Sequence, residues 1–154
     1  MMSSGIKHLN KWRRLIGCYL VFCTLLLAFG GCSQEQQDAV RQRRDNLSDI
    51  WRCYRDMNAS TGVPPDSAST LAEWILTVPD TVGYGQASEC VVEGDVIVNW
   101  NGNLISPNGL GRYVFAFEAA TPARGGYVVM GDGKVVSMTA KQFANADMLP
   151  AKSD

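Results

Sequence analysis

Histidine is almost missing from this chain of 154 residues: the single one, His8, lies ahead of an apolar run, and nothing after it carries another. Ser-His-Asp and Cys-His nucleophilic sets and His-ligated metal sites are therefore excluded from the remaining sequence. Neither a Walker loop nor a dinucleotide fingerprint is present; Gly109-Leu110-Gly111 lacks the strand-then-helix setting and reads as a turn. Charge is scarce as well, at 19% Asp, Glu, Lys and Arg. It is also unevenly placed. Four of the 14 Lys and Arg precede Cys32 and all 15 Asp and Glu follow it, so residues from Cys32 onward hold ten cations against fifteen acids, a net −5. That balance argues against nucleic acid, whose affinity comes mainly from Lys and Arg on phosphates. Glu89, Glu93, Asp95, Glu118 and Asp132 are possible acid/base residues by type only, because no spacing brings two of them to one cleft. The reading is non-enzymatic, with no catalytic residue, no metal and no cofactor. Calcium on Glu93, Asp95 and a neighbouring carbonyl is the one cation arrangement left open, without EF-hand spacing.

What is present begins with Lys7, Lys11, Arg13 and Arg14, followed by the apolar run Leu15 to Gly31 and the boundary Phe29-Gly30-Gly31-Cys32-Ser33. A basic start, an apolar middle and small residues at the end make an export signal. The segment resembles a bacterial lipoprotein signal, which implies lipidation of Cys32. The alternative is an uncleaved signal anchor, since 17 apolar residues stand at the short edge of a bilayer span. Either way the basic cluster stays in the cytoplasm. The expected location is the cell membrane, with an outward-facing periplasmic domain held by a lipid or an N-terminal helix. The expected division is a signal over 1–31, a tether over 32–39, a folded domain over 40–147 and a frayed tail over 148–154. Cys18 and Cys23 sit in the apolar run as small hydrophobes. Cys53 and Cys90 remain. In an oxidising compartment such a pair reads as a disulfide, closing a loop of about 37 residues worth on the order of 3–4 kcal/mol; two free thiols are the alternative.

Along the exported part, Val40, Leu47, Ile50, Tyr54 and Met57 recur at helical period, with Trp51 and Cys53 beside the stripe. This predicts a helix from Asp38 to about Ala59, stopped by Gly62 and Pro64-Pro65. Thr70-Leu71-Ala72-Glu73 has the form of a capping box and predicts a short second helix closed by Pro79-Asp80. From Val91 the period becomes two. Strands are predicted at Val91-Val92, Asp95 to Trp100, Arg112 to Glu118, Gly126 to Met130 and Lys134 to Met138, with turns at Asn101-Gly102-Asn103, Pro107-Asn108-Gly109 and Pro122-Ala123-Arg124-Gly125. Strict alternation puts Tyr113, Phe115 and Phe117 on one face. Asp132-Gly133 predicts a tight hairpin turn. Thr139-Ala140-Lys141-Gln142 repeats the capping pattern and opens a last short helix, beyond which Ala144 to Asp154 looks frayed. Helices segregated from strands make the fold class α+β: an N-terminal amphipathic helix packed on a small antiparallel sheet, in two layers.

A long helix after an apolar segment, the break Gly62-Val63-Pro64-Pro65-Asp66, a short helix and a terminal hairpin from Gly125 to Met138 around Asp132-Gly133 resemble the pseudopilins of type II secretion systems. The closer resemblance is to the pilin-like proteins of planctomycetes. It covers roughly residues 40 to 147, and the hairpin and the helix break are its specific parts. The sequence departs from the family at the start, where a lipoprotein-like boundary stands in place of a prepilin cut site. The resemblance implies a lipid-anchored relative with an assembly or interaction role in the cell envelope, and other envelope or pilin-like proteins as partners. The other functional reading is a periplasmic ligand-binding or sensing lipoprotein, which requires a concave pocket.

Overall fold

The structure is a computed structural model that describes residues 34–78, 84–105 and 109–150. The apolar run Leu15 to Gly31, Cys32, Pro79-Asp80 and Pro107-Asn108 lie outside the described residues. Contacts divide the chain into two units, 1–41 and 42–154. The described part of the first is helical, and the elements below belong to the second except where α1 begins.

Helix α1 covers residues 34–61. Leu47, Ile50 and Tyr54 are fully buried, and Met57, Trp51 and Cys53 are buried beside them, so the apolar face is wider than the single predicted stripe. The helix stops where Gly62 takes a positive φ of 74° and donates its N–H to the Asn58 carbonyl. Helix α2 covers Ala68–Thr77 and starts a turn earlier than the Thr70-Glu73 pattern predicts. Ser67 is its N-cap, accepting from the Thr70 N–H, while the Thr70 hydroxyl donates to Asp66 at 2.6 Å. Helix α3, Tyr84–Val92, is a correction: its last turn holds Val91-Val92, predicted as strand. Ala87 and Val91 are one turn apart and both buried, whereas Val92 is exposed, so helical spacing sorts this apolar pair better than alternation does.

The sheet contains β1 (Val96–Val98), β2 (Tyr113–Glu118), β3 (Gly126–Met130), β4 (Val135–Met138) and β5 (Asp147–Met148). Its order is β1-β2-β3-β4 with antiparallel neighbours, and β5 pairs in parallel with the first residues of β2. Thus β1 and β5 share one edge of β2, β1 beside Ala116 to Glu118 and β5 beside Tyr113-Val114. The predicted turn at Pro122 to Gly125 is one helical turn, α4, Thr121–Arg124, with its proline in the first turn where no N–H is needed. Asp132 and Gly133 lie between β3 and β4 in the four-residue connection Gly131 to Lys134. The Gly133 N–H reaches the Met130 carbonyl, the Met130 N–H reaches that of Lys134, and only Gly133 has positive φ, at 88°. Trp51 covers this turn, its ring against the Gly133 backbone and its indole N–H on the Gly131 carbonyl at 3.1 Å.

Alternation fails in β2. Val114 pairs with Met130 but Ala116 pairs with Val129, so two steps on β2 match one on β3, a bulge at Phe115. Phe115, Ala116 and Tyr113 therefore face α1, together with Val96, Val98 and Val129. Phe117 is turned to the opposite face, where its ring lies 4.6 Å from Phe143. The predicted sharing of one face by Tyr113, Phe115 and Phe117 is corrected accordingly. That opposite face carries a second cluster of Val114, Val128, Met130 and Phe143 under α5, Ala140–Ala144, so a short third layer joins the expected two. Thr139 and Gln142 form the capping box of α5 in both directions. Ala144 onward is not frayed throughout: Leu149 is buried and donates its N–H to Val114 at 2.8 Å. The fold is α+β, a long amphipathic helix packed on a small sheet.

The expected Cys53–Cys90 disulfide is absent, and both thiols are free. Cys53 points into a cluster with Met57 and Leu71 beneath α2. Cys90 lies against Asn46, whose amide donates to its sulfur at 3.1 Å. Asn46 and Cys53 are two helical turns apart, about 10 Å along α1. The two cysteines thus sit against different clusters.

Candidate functional site

Among the described residues an open cleft of about 380 Å³ lies at the end of the sheet where β1 begins and β2 ends. α1 supplies Arg43 and Asn46, α3 supplies Cys90, the β1 start supplies Asp95 and Val96, and the β2 end supplies Glu118, Ala119 and Ala120. Its fixed element is a buried carboxylate. The Glu118 side chain is 12% exposed, and that of Arg43 is 53% exposed. Arg43 donates to both carboxylate oxygens, through Nε to one and through Nη2 at 2.7 Å to the other. The Tyr127 N–H donates to the same carboxylate at 2.7 Å. This close approach uses Gly126, since a Cβ there would strike the Glu118 carboxylate and the Thr121 hydroxyl. The Arg43 guanidinium also lies 5.6 Å from the Tyr127 ring centroid.

Burial by itself would raise the Glu118 pKa. The Arg43 and Tyr127 hydrogen bonds and the Arg43 charge outweigh it and hold the carboxyl below its ordinary value. The bond to Glu118 raises the Arg43 pKa in turn. At neutral pH the two form a charge-neutral clamp between α1 and the sheet. Beside it, burial and then the Asp95 charge push the Cys90 thiol up, against the hydrogen bond from Asn46 and with Glu93 adding to the rise. Such a thiol is a poor nucleophile at neutral pH. Cys53 is pushed to about 12 by burial, then by Asp56 and Asp49.

The residues singled out from sequence are dispersed. Cys32 lies outside the described residues, Cys53 is under α2, Cys90 is in the cleft, and Asp132-Gly133 form the β3–β4 turn. Of the acids considered, Asp95 and Glu118 meet at the cleft, but Glu118 is committed to Arg43. Among the described residues no three His, Cys, Asp or Glu side chains gather as a metal-ligand group, and Glu93 with Asp95 is no exception. Sequence reasoning missed Arg43 and Asn46. The only signal for the clamp was a charged residue within an otherwise apolar strand, and the Phe115 bulge decides which way it points.

No protein-family model, curated protein or solved structure matches the chain.

Proposed function

We propose that this chain is a membrane-tethered, exported, non-enzymatic protein of pseudopilin-like build, with an assembly or interaction role in the cell envelope. The observation that carries this reading is the change of character along α1. Residues 34–45 are exposed except for half-buried Val40, and they are polar, with Gln34, Glu35, Gln36, Gln37, Asp38, Arg41, Arg43 and Arg44. From Leu47 onward the same helix supplies the core. A helix start that is polar on all sides suits water, not an apolar bundle. It follows the apolar Leu15 to Gly31 run closely enough to serve as the spacer between anchor and head.

The test is fractionation of the full chain in a bacterium with an intact export route. The chain is expected in the membrane fraction and open to protease added from the periplasmic side. Cys32→Ser is expected to release it from the lipid; retention of that variant in the membrane would select the uncleaved anchor. Recovery of the unmodified chain in the cytosol would reject both.

A second reading, a periplasmic ligand-binding lipoprotein, is favoured by the cleft at Arg43, Asp95 and Glu118. It predicts that a ligand raises the melting temperature of the native chain and that Asp95→Asn removes the rise.

A further inference from the structure

We propose that the cleft between α1, α3 and the start of β1 binds a small organic ammonium ion, with its charge on Asp95 and its apolar body against Val96, Ala119 and Ala120. This rests on the reading of the cleft as a ligand site and gives that ligand its chemistry. Among the described residues, the charged side chains that line the cleft are Arg43, Asp95 and Glu118. Arg43 and Glu118 cancel one another through their two-point contact. Asp95 is left over. It is exposed, and its carboxylate has no salt-bridge partner among the described residues. The lining therefore holds one carboxylate more than it holds cations. That charge is felt inside the cleft. After burial, Asp95 is the largest cause that pushes the Cys90 thiol up, and Glu93 adds to the rise.

The remaining polar groups are already engaged, and in a way that disfavours an anion. An anion would have to draw Arg43 from Glu118, whose side chain is 12% exposed, and strip a buried carboxylate of its charge partner. The Asn46 amide donates to the Cys90 sulfur, and its oxygen accepts from Gln42 at 2.9 Å. A cation on Asp95 disturbs none of these bonds. Asp95 is also held in place. Gly94 takes a positive φ of 83° where α3 gives way to β1, the Asp95 carbonyl accepts the Ala119 N–H at 2.8 Å, and Val96 is buried. A carboxylate on fixed backbone costs little further ordering when it binds. One carboxylate suits an ammonium better than a hard metal ion, which wants several oxygens; among the described residues no group of three His, Cys, Asp or Glu offers them. The cleft of about 380 Å³ falls in the size range of small-molecule sites, about 300–1,000 Å³.

Cys90 lines the same cleft and reports its occupancy. The experiment follows alkylation of Cys90 by iodoacetamide in the full chain, held in detergent micelles, with peptide mapping of the product. Four probes are compared at matched ionic strength: butylammonium, butyrate, butanol and calcium. Butylammonium at twice its dissociation constant is expected to slow the reaction about threefold, as exclusion from an occupied cleft requires. Butyrate, butanol and calcium are expected to leave the rate unchanged. Asp95→Asn is expected to abolish the protection by butylammonium while thermal unfolding stays cooperative, since the carboxylate ties no other element down. Equal protection by butyrate, butanol or calcium, or protection that persists in Asp95→Asn, would overturn the ammonium and leave the cleft a site for a ligand of other chemistry. No protection by any of the four would overturn the ammonium and the ligand-binding reading together.

Discussion

The two faces of the sheet are built to different standards. Toward α1 lies one continuous cluster, in which Tyr54 meets Phe115 edge-on at 4.8 Å and the fully buried Leu47, Ile50, Leu104 and Val129 close around them. Away from α1, a helix of five residues covers Val114, Val128 and Met130 through Phe143, and Phe117, Val136 and Met138 stay half-buried. A long helix can bury several turns of one stripe, while a five-residue helix can press down little more than one side chain. The first face holds the fold. The second is thinly covered, and it continues to the open β4 edge.

The largest effect should come from breaking that asymmetry at its centre. Phe115→Ala is expected to cost about 4 kcal/mol, because it empties a fully buried site walled by helix and sheet. Phe143→Ala should cost less, about 2–3 kcal/mol, since α5 can settle into the gap. Urea unfolding of both variants measures the difference, and equal losses would remove the distinction between the faces.

A smaller effect is expected at the clamp that ties α1 to the sheet. Glu118→Gln should destabilise by about 1–3 kcal/mol, leaving the Arg43 guanidinium without its charge partner. The pH dependence has a definite sign. The folded-state pKa of Glu118 is lowered from 4.5, so its contribution is complete above that value and is lost as pH falls through the lower folded one. Melting temperature against pH should therefore fall less steeply in the acid range for Glu118→Gln than for the parent. Identical slopes would show that the clamp carries no net stabilisation.

The smallest effect separates the two cysteines and leaves the fold intact. Cys90, half-buried in an open cleft, should be alkylated slowly in the native chain, and Cys53 only on unfolding. Peptide mapping after timed labelling would detect it. Simultaneous labelling of both would place Cys53 nearer the surface than the cluster with Met57 and Leu71 allows.

Much of this architecture was legible in one dimension because it depends on local spacing. The α1 stripe, the β3 limits, the Thr139–Gln142 capping box and the Gly62 stop each follow from neighbours within a turn or two. What escaped was set at long range. Val91-Val92 suits a strand or a helix equally well until the α1 core selects one side. Leu149 looked like part of a loose end until Gly102 made room for it, a Cβ there being in collision with the leucine side chain.

By itself the sequence determined the α+β class, the amphipathic rod, the lack of histidine chemistry beyond His8 and the apolar run Leu15 to Gly31, since composition and periodicity act through solvent alone. Only the tertiary structure decided that Phe117 and Glu118 would exchange faces, that Arg43 would find Glu118, and that Cys53 and Cys90 would remain apart. A one-residue bulge and the packing of Cys90 against Asn46, two turns of α1 away from Cys53, settle those outcomes, and neither exists until strand and helix meet.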